Sequence, residues 1–237
     1  MEETLHIDSH TSRQFNRELE ELRARVMTMG GLVEQQCKDA VTALIEGNAE
    51  LAAKVADGDA AVNALEVQIN AECMEILARR QPAAGDLRLI LSVIRVISDL
   101  ERIGDEAEKV GRMSLDLASR PEIKAHRAEP KHLGKNVVTM LGGALDAFAR
   151  SDVAAAIKVA ARDPENDDEF ESLTRLLFTH IMAEPQEVRY LLQVNWCARA
   201  LERIGDHIVN LCEEVIFLVK GSDVRHLSLE EIVARFG

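Results

Sequence analysis

Apolar positions recur at helical spacing along nearly the whole chain. From Ser12 to about Asn48, the residues Leu19, Leu22, Val26, Met29 and Val33 fall on one face with no proline between them, which predicts a long first helix ended at Gly47-Asn48. A second helix is expected from Ala49 to Arg80, turning Val62, Leu65, Ile69, Cys73 and Ile76 inward, with Gly58 as a kink near its start and Pro82 closing it. The third, from about Asp86 to Leu117, carries Leu89, Val93, Val96, Leu100, Ile103, Ala107 and Val110 at alternating gaps of four and three, the seam of a helix in an antiparallel bundle. Ser119 to Pro130 lacks a regular apolar period and reads as a linker.

The pattern then starts again. A fourth helix is expected from about His132 to Arg150, and a fifth from Ser151-Asp152 to about Met182, interrupted at Asp163-Pro164 much as the second is at Asp57-Gly58-Asp59. Pro185 matches Pro82. The sixth helix has its seam at Tyr190, Val194, Cys197, Leu201, Ile204, Ile208, Leu211, Val215 and Leu218, the first seven each 101 residues after their counterparts in the third. The chain is therefore expected to be all-α, with two tandem three-helix bundles related by internal duplication (residues 1–120 and 121–220) and a C-terminal tail (221–237) with a short helix from about Ser228.

Composition agrees and narrows the function. Hydrophobic residues make up 47% of the 237 but aromatics only 3%, which favours helices over a sandwich or barrel. A formal charge of −13 argues against nucleic acid or an anionic membrane as main partner. Without a membrane-length apolar run or a signal-like amino terminus, a cytoplasmic protein is expected. Cys37, Cys73, Cys197 and Cys212 are widely spaced and form no C-x-x-C pair, so they read as buried reduced thiols.

The candidate chemistry lies in one pentad written twice, Glu101-Arg102-Ile103-Gly104-Asp105 and Glu202-Arg203-Ile204-Gly205-Asp206. On a helix each copy stacks two carboxylates one turn apart, a like-charge pair that destabilises by roughly 0.2–0.5 kcal/mol and invites a cation. Each copy also places a glycine mid-helix at about 0.8–1.0 kcal/mol relative to alanine, either for close packing or for access to a ligand. The seam assigns Ile103 and Ile204 to the core and turns Glu101, Asp105, Glu202 and Asp206 outward. Asp59 and Asn63, with Glu66 beyond, and in the second half Asp163 and Asp167, with Phe170 in the place of Glu66, are positioned on the preceding helices to complete a cluster. Such an oxygen-only set suits magnesium, manganese or iron, and zinc also accepts carboxylates. The bland alternative is a solvated acidic face neutralised by Arg102 and Arg203. His207 and Asn210 are candidate supporting ligands, with a surface histidine as the simpler reading. Asp86-Leu87-Arg88 and its echo Glu187-Val188-Arg189 read most simply as helix starts with an acid in the first turn, with Arg88 and Arg189 as candidates to reach a neighbouring acidic cluster.

Two three-helix units, each with Glu-Arg-Ile-Gly-Asp on its third helix, together with Gln81-Pro82 before Asp86-Leu87-Arg88, resemble the PhoU family over nearly the whole chain. The resemblance implies a regulator of phosphate homeostasis. It would be an accessory protein of the phosphate-specific transport system that represses the phosphate-starvation response when phosphate is plentiful. It also implies surface multinuclear metal clusters at Glu101 with Asp105 and Glu202 with Asp206, joined by Asp59, Asn63, Asp163 and Asp167. Asn63 departs from an all-carboxylate set. The implied partners are a phosphate-sensing membrane histidine kinase, the ATP-binding subunit of the transporter and a second copy in a homodimer.

No P-loop, Ser-His-Asp arrangement or glycine-rich phosphate cradle is present, so a non-enzymatic regulator is expected. The rival readings are a carboxylate-bridged metal oxidase or hydrolase and a metal-binding structural helical module. A di-iron carboxylate bundle would need inward Glu-x-x-His motifs on two helices, whereas the chain holds a single such tetrapeptide, Glu129-Pro130-Lys131-His132, running through a proline.

Overall fold

The structure is a computed structural model that describes residues 13–58, 60–120 and 123–237. The expected helix start at Ser12, the acidic candidate Asp59 and the linker residues Pro121 and Glu122 lie outside the described residues. The chain is all-α, two tandem three-helix bundles related by duplication, with a short helical tail. The long helices of the first bundle are α1 (Arg13–Glu46), α2 (Ala49–Ala56) continued by α3 (Ala60–Arg80), and α4 (Ala84–Ala118). After α5 (Lys124–Arg127) in the connector come α6 (Lys131–Arg150), α7 (Val153–Ala160) continued by α8 (Asp163–Ala183), and α9 (Val188–Lys220). The tail ends in α10 (Leu229–Phe236).

The middle helix of each bundle, expected as one rod with a weak point, is broken outright. Asn48 and Asp152 cap α2 and α7 by accepting from Leu51 N and Ala155 N. Each short helix then ends after eight residues, at Asp57-Gly58 and at Ala161-Arg162. Pro164 sits in the first turn of α8, where its missing N–H costs nothing.

The seams are buried as expected, except for half-buried Tyr190 at the start of the sixth, and α4 and α9 pack chiefly against each other, in antiparallel directions. Arg88 at the start of α4 donates to Leu218 O near the end of α9 (3.4 Å), while Arg189 at the start of α9 reaches Asp116 near the end of α4 (3.3 Å). Between them Arg95 pairs with Glu214 and Arg203 with Glu106, both at 3.0 Å.

The outer helices α1 and α6 repeat the same reciprocity. A Cβ on Gly30 would meet Leu145, and one on Gly134 would meet Val41, each partner 104 residues from its counterpart. Likewise Arg23 donates to Phe148 O and Ala149 O at the end of α6, and Arg127 donates to Glu46 O at the end of α1 and to Leu117 O of α4. The halves thus cap and interlock each other about a pseudo-two-fold, and one continuous apolar core runs through both. The tail adds a small separate core of Val153, Ile157, Ile216, Val224 and Ile232, and Ser228 and Glu231 cap α10 reciprocally. The four cysteines are buried and unpaired.

Candidate metal centre on α8 and α9

In the second half the pentad and the preceding helix meet. Asp163, Asp167 and Asp206 each offer a carboxylate oxygen, and these oxygens lie within 4.8 Å of one another. Glu202, one turn before Asp206, joins the same electrostatic cluster. Its surroundings differ from expectation: the seam turns Glu202 outward, yet it is only 8% exposed. The seam describes a single face, whereas α9 is also covered by α6 and α8. Asp167 and Asp206 do face solvent as expected.

The four acids perturb one another. Burial, reinforced by the charges of Asp167 and Asp206, pushes Asp163 up to about 6, and the Asn166 side chain opposes that rise. Burial and then Asp206 raise Glu202, while Arg199 pulls it back. Asp206 is raised by burial and by Asp167.

Two residues that the sequence reading did not single out, Arg199 and Asn166, shape the site. Arg199, one turn before Glu202, donates to its Oε1 at 2.7 Å and lies over the Phe170 ring at 5.5 Å. Phe170, which replaces the acid found at Glu66, thus holds the arginine against Glu202. Asn166 is fully buried, with Nδ2 2.9 Å from Met140 Sδ. Its place in the first half belongs to Val62, so comparing the two halves position by position would have exposed it. Gly205 supplies the room: a Cβ there would stand 2.9 Å from Asp163 Oδ1 and 3.4 Å from Asn166 Nδ2. In this copy the glycine lets the ligand-bearing helix approach the backbone of α9.

Whether a cation fits can be judged from what is left unsatisfied. Among the described residues, Glu202 Oε2 and Asn166 Oδ1 are buried oxygens without a hydrogen-bond partner, which costs about 1–3 kcal/mol for each group. Raised carboxylates, orphaned oxygens and an all-oxygen donor set together fit a hard or borderline metal ion. Asp163, Asp167, Glu202 and Asp206, with Asn166, are the residues that would hold it.

The first-half counterpart is only partly described. Glu101 and Asp105 are half-buried on α4, Asn63 is exposed on α3, and Arg102 lies 3.7 Å from Glu101. The proposed supporting residues go elsewhere. His207 Nδ1 lies 2.9 Å from Asp99 Oδ1 of α4, and Asn210 donates to the same oxygen at 3.0 Å. Arg88 and Arg189 brace the ends of the α4 and α9 pair rather than the acidic cluster.

Comparison with known proteins agrees with the duplicated fold. The PhoU domain matches twice, over residues 26–113 and 131–215, each match ending on a helix that carries the pentad. The phosphate-specific transport system accessory protein PhoU homolog of Pseudomonas putida is 49% identical over 95% of this chain and 88% of its own length. The accessory protein PhoU of Escherichia coli (strain K12) is 42% identical over 97% of this chain and 95% of its own. The crystal structure of PhoU from Pseudomonas aeruginosa superposes with a TM-score of 0.85 at 47% identity, covering 88% of this chain and 100% of that one. With two matches spanning most of its length and relatives of this closeness, the chain belongs to the PhoU domain family.

Proposed function

We propose that this chain is a non-enzymatic accessory protein of phosphate-specific transport. In this reading it restrains the phosphate-starvation two-component response when phosphate is plentiful and modulates the phosphate ABC transporter. Its partners would be a phosphate-sensing membrane histidine kinase and the transporter's ATP-binding subunit, met at the cytoplasmic side, with the chain itself working as a homodimer. The observation that carries the reading is the 49% identity, over 95% of the chain, to a relative named for that transport system. The architecture supports it: two copies interlocked by reciprocal caps give a stiff body suited to displaying charged faces. No helix among the described residues is long and apolar enough to cross a membrane.

The acidic cluster of α8 and α9 would hold one or more divalent or trivalent ions, iron, zinc, manganese or magnesium. Bound there, the metal neutralises the mutual repulsion of the carboxylates and ties the two helices together. The role is tested by deleting the gene and measuring alkaline phosphatase in high phosphate. Derepression, reversed by supplying the gene in trans, is expected; activity that stays repressed refutes the reading.

A further inference from the structure

A second set of metal-ligating groups lies away from the acidic cluster, where the connector meets the end of α8. His126 belongs to α5, Glu129 follows it by three residues, and His180 sits in the last turn of α8. His126 Nδ1 lies 3.1 Å and His180 Nε2 3.2 Å from the same oxygen, Glu129 Oε1. The two imidazole rings face each other with centroids 4.3 Å apart, tilted by 55°. The side chains are sheltered, at 13%, 19% and 29% exposure for His126, Glu129 and His180. Buried Arg127 fixes this part of the connector through its bonds to Glu46 O and Leu117 O.

Hydrogen bonding alone accounts for only part of this arrangement. His126 Nδ1 is at hydrogen-bonding distance from Oε1 and His180 Nε2 makes an ion-pair contact with the same atom, while the other carboxylate oxygen, Glu129 Oε2, is buried and without a hydrogen-bond partner among the described residues. A cation held between the two ring nitrogens and the Glu129 carboxylate would neutralise that under-satisfied group. Zinc bound tetrahedrally at 2.0–2.1 Å places its donors about 3.3 Å apart, close to the two nitrogen-to-Oε1 distances of 3.1 and 3.2 Å. Imidazole nitrogens also select zinc-class ions over magnesium, in contrast to the all-oxygen cluster on α8 and α9.

We propose that His126, Glu129 and His180 form a mononuclear site for a divalent transition-metal ion of the zinc class, which clips the connector between the two halves to the end of α8. Water completes the coordination. The site is independent of the function proposed above and of the acidic cluster.

The test loads the full chain with Co²⁺ in the presence of excess Mg²⁺, which occupies the carboxylate cluster but does not compete for imidazole. Visible absorption bands of four- or five-coordinate, nitrogen-ligated cobalt are expected, at one equivalent per chain and bleached by Zn²⁺. A weak six-coordinate oxygen spectrum would overturn the proposal. His126→Gln and His180→Gln should each weaken Zn²⁺ binding roughly a hundredfold or more in competition with a chromophoric chelator. The triple variant Asp163→Asn, Asp167→Asn, Asp206→Asn should keep the cobalt bands. Unchanged affinity in a histidine variant that melts like the wild type without metal would also overturn it. A variant that fails to fold leaves the decision to the wild-type cobalt spectrum.

Discussion

Replacing Asp163 by asparagine should stabilise the metal-free protein and remove its stabilisation by metal. The folded chain holds the Asp163 proton more tightly than the unfolded chain does, because its carboxyl is pushed from the ordinary 3.8 up to about 6. Below about pH 4 the group is protonated in both states and carries no penalty. Between about pH 4 and 6 the unfolded chain releases the proton first, so stability falls as pH rises, and above about 6 the loss is complete.

A rise from 3.8 to about 6 is worth at most about 3 kcal/mol, and screening of a partly solvated group reduces that to about 1–2 kcal/mol. The asparagine forfeits a negative charge in the first turn of α8, which offsets about 0.3–1 kcal/mol. The net gain near pH 7.5 is therefore about 1 kcal/mol, or roughly 2–4 °C in Tm for a chain of this size. Metal acts in the opposite direction: at a hundredfold excess over Kd it stabilises the wild type by about 2.7 kcal/mol. Calorimetry at pH 4.5 and 7.5, in chelator and in Mn²⁺ or Mg²⁺, separates the effects. The variant should melt higher than the wild type at pH 7.5 in chelator, show a flatter dependence on pH, and gain little from metal. A variant that melts lower at pH 7.5 in chelator, or that keeps the full metal-induced rise, refutes the reasoning.

Gly205→Ala should leave the metal-free melting temperature unchanged or slightly raised, because the propensity gain of about 0.8–1.0 kcal/mol offsets the crowding at Asp163. Its metal affinity by titration calorimetry should fall by roughly tenfold or more, about 1.4 kcal/mol, and an unchanged affinity would remove Gly205 as the clearance for the ligand-bearing helix. Arg127→Met deprives the ends of α1 and α4 of their shared cap and should cost roughly 2–4 kcal/mol. That is a fall of roughly 5–15 °C in a thermal melt, and a fall under 2 °C would show that the cap is dispensable.

The seams of the third and sixth helices were legible because branched and long aliphatic residues at gaps of three and four admit one buried face, and every first-bundle seam residue from Leu89 to Val110 is buried. The duplication was legible for the same reason, with the pentad as its marker. Burial on the flanks was not, because it depends on which helices lie beside the seam. Glu202, Glu106 and Glu214 are all nearly covered, the first beside α8 and the other two paired with arginines across α4 and α9. His126 and His180 were illegible in a different way, since only the return of the connector to the end of α8 brings residues 54 positions apart to one carboxylate. His207 and Asn210 look like additions to the acidic cluster in sequence, but the antiparallel pairing of α4 and α9 gives them Asp99 instead.

The two copies have kept one element and altered the other. The pentad is identical on α4 and α9, yet the helix packed against it reads Val62, Asn63 and Glu66 in the first half and Asn166, Asp167 and Phe170 in the second. Each change in the second half bears on the cluster. Asn166 puts an orphaned oxygen where an aliphatic side chain stood, Asp167 adds a carboxylate, and Phe170 positions Arg199 on Glu202. The pentad thus provides the frame, a glycine for close approach and two stacked acids, while the preceding helix sets where the other donors of each site stand. A hard cation responds to that placement, so identical pentads need not give identical sites. The second half exchanges Glu66 for Asp167 among its acids and adds Asn166 and an apolar shelf for its arginine, so the two sites differ in where their oxygens stand rather than in the number of carboxylates.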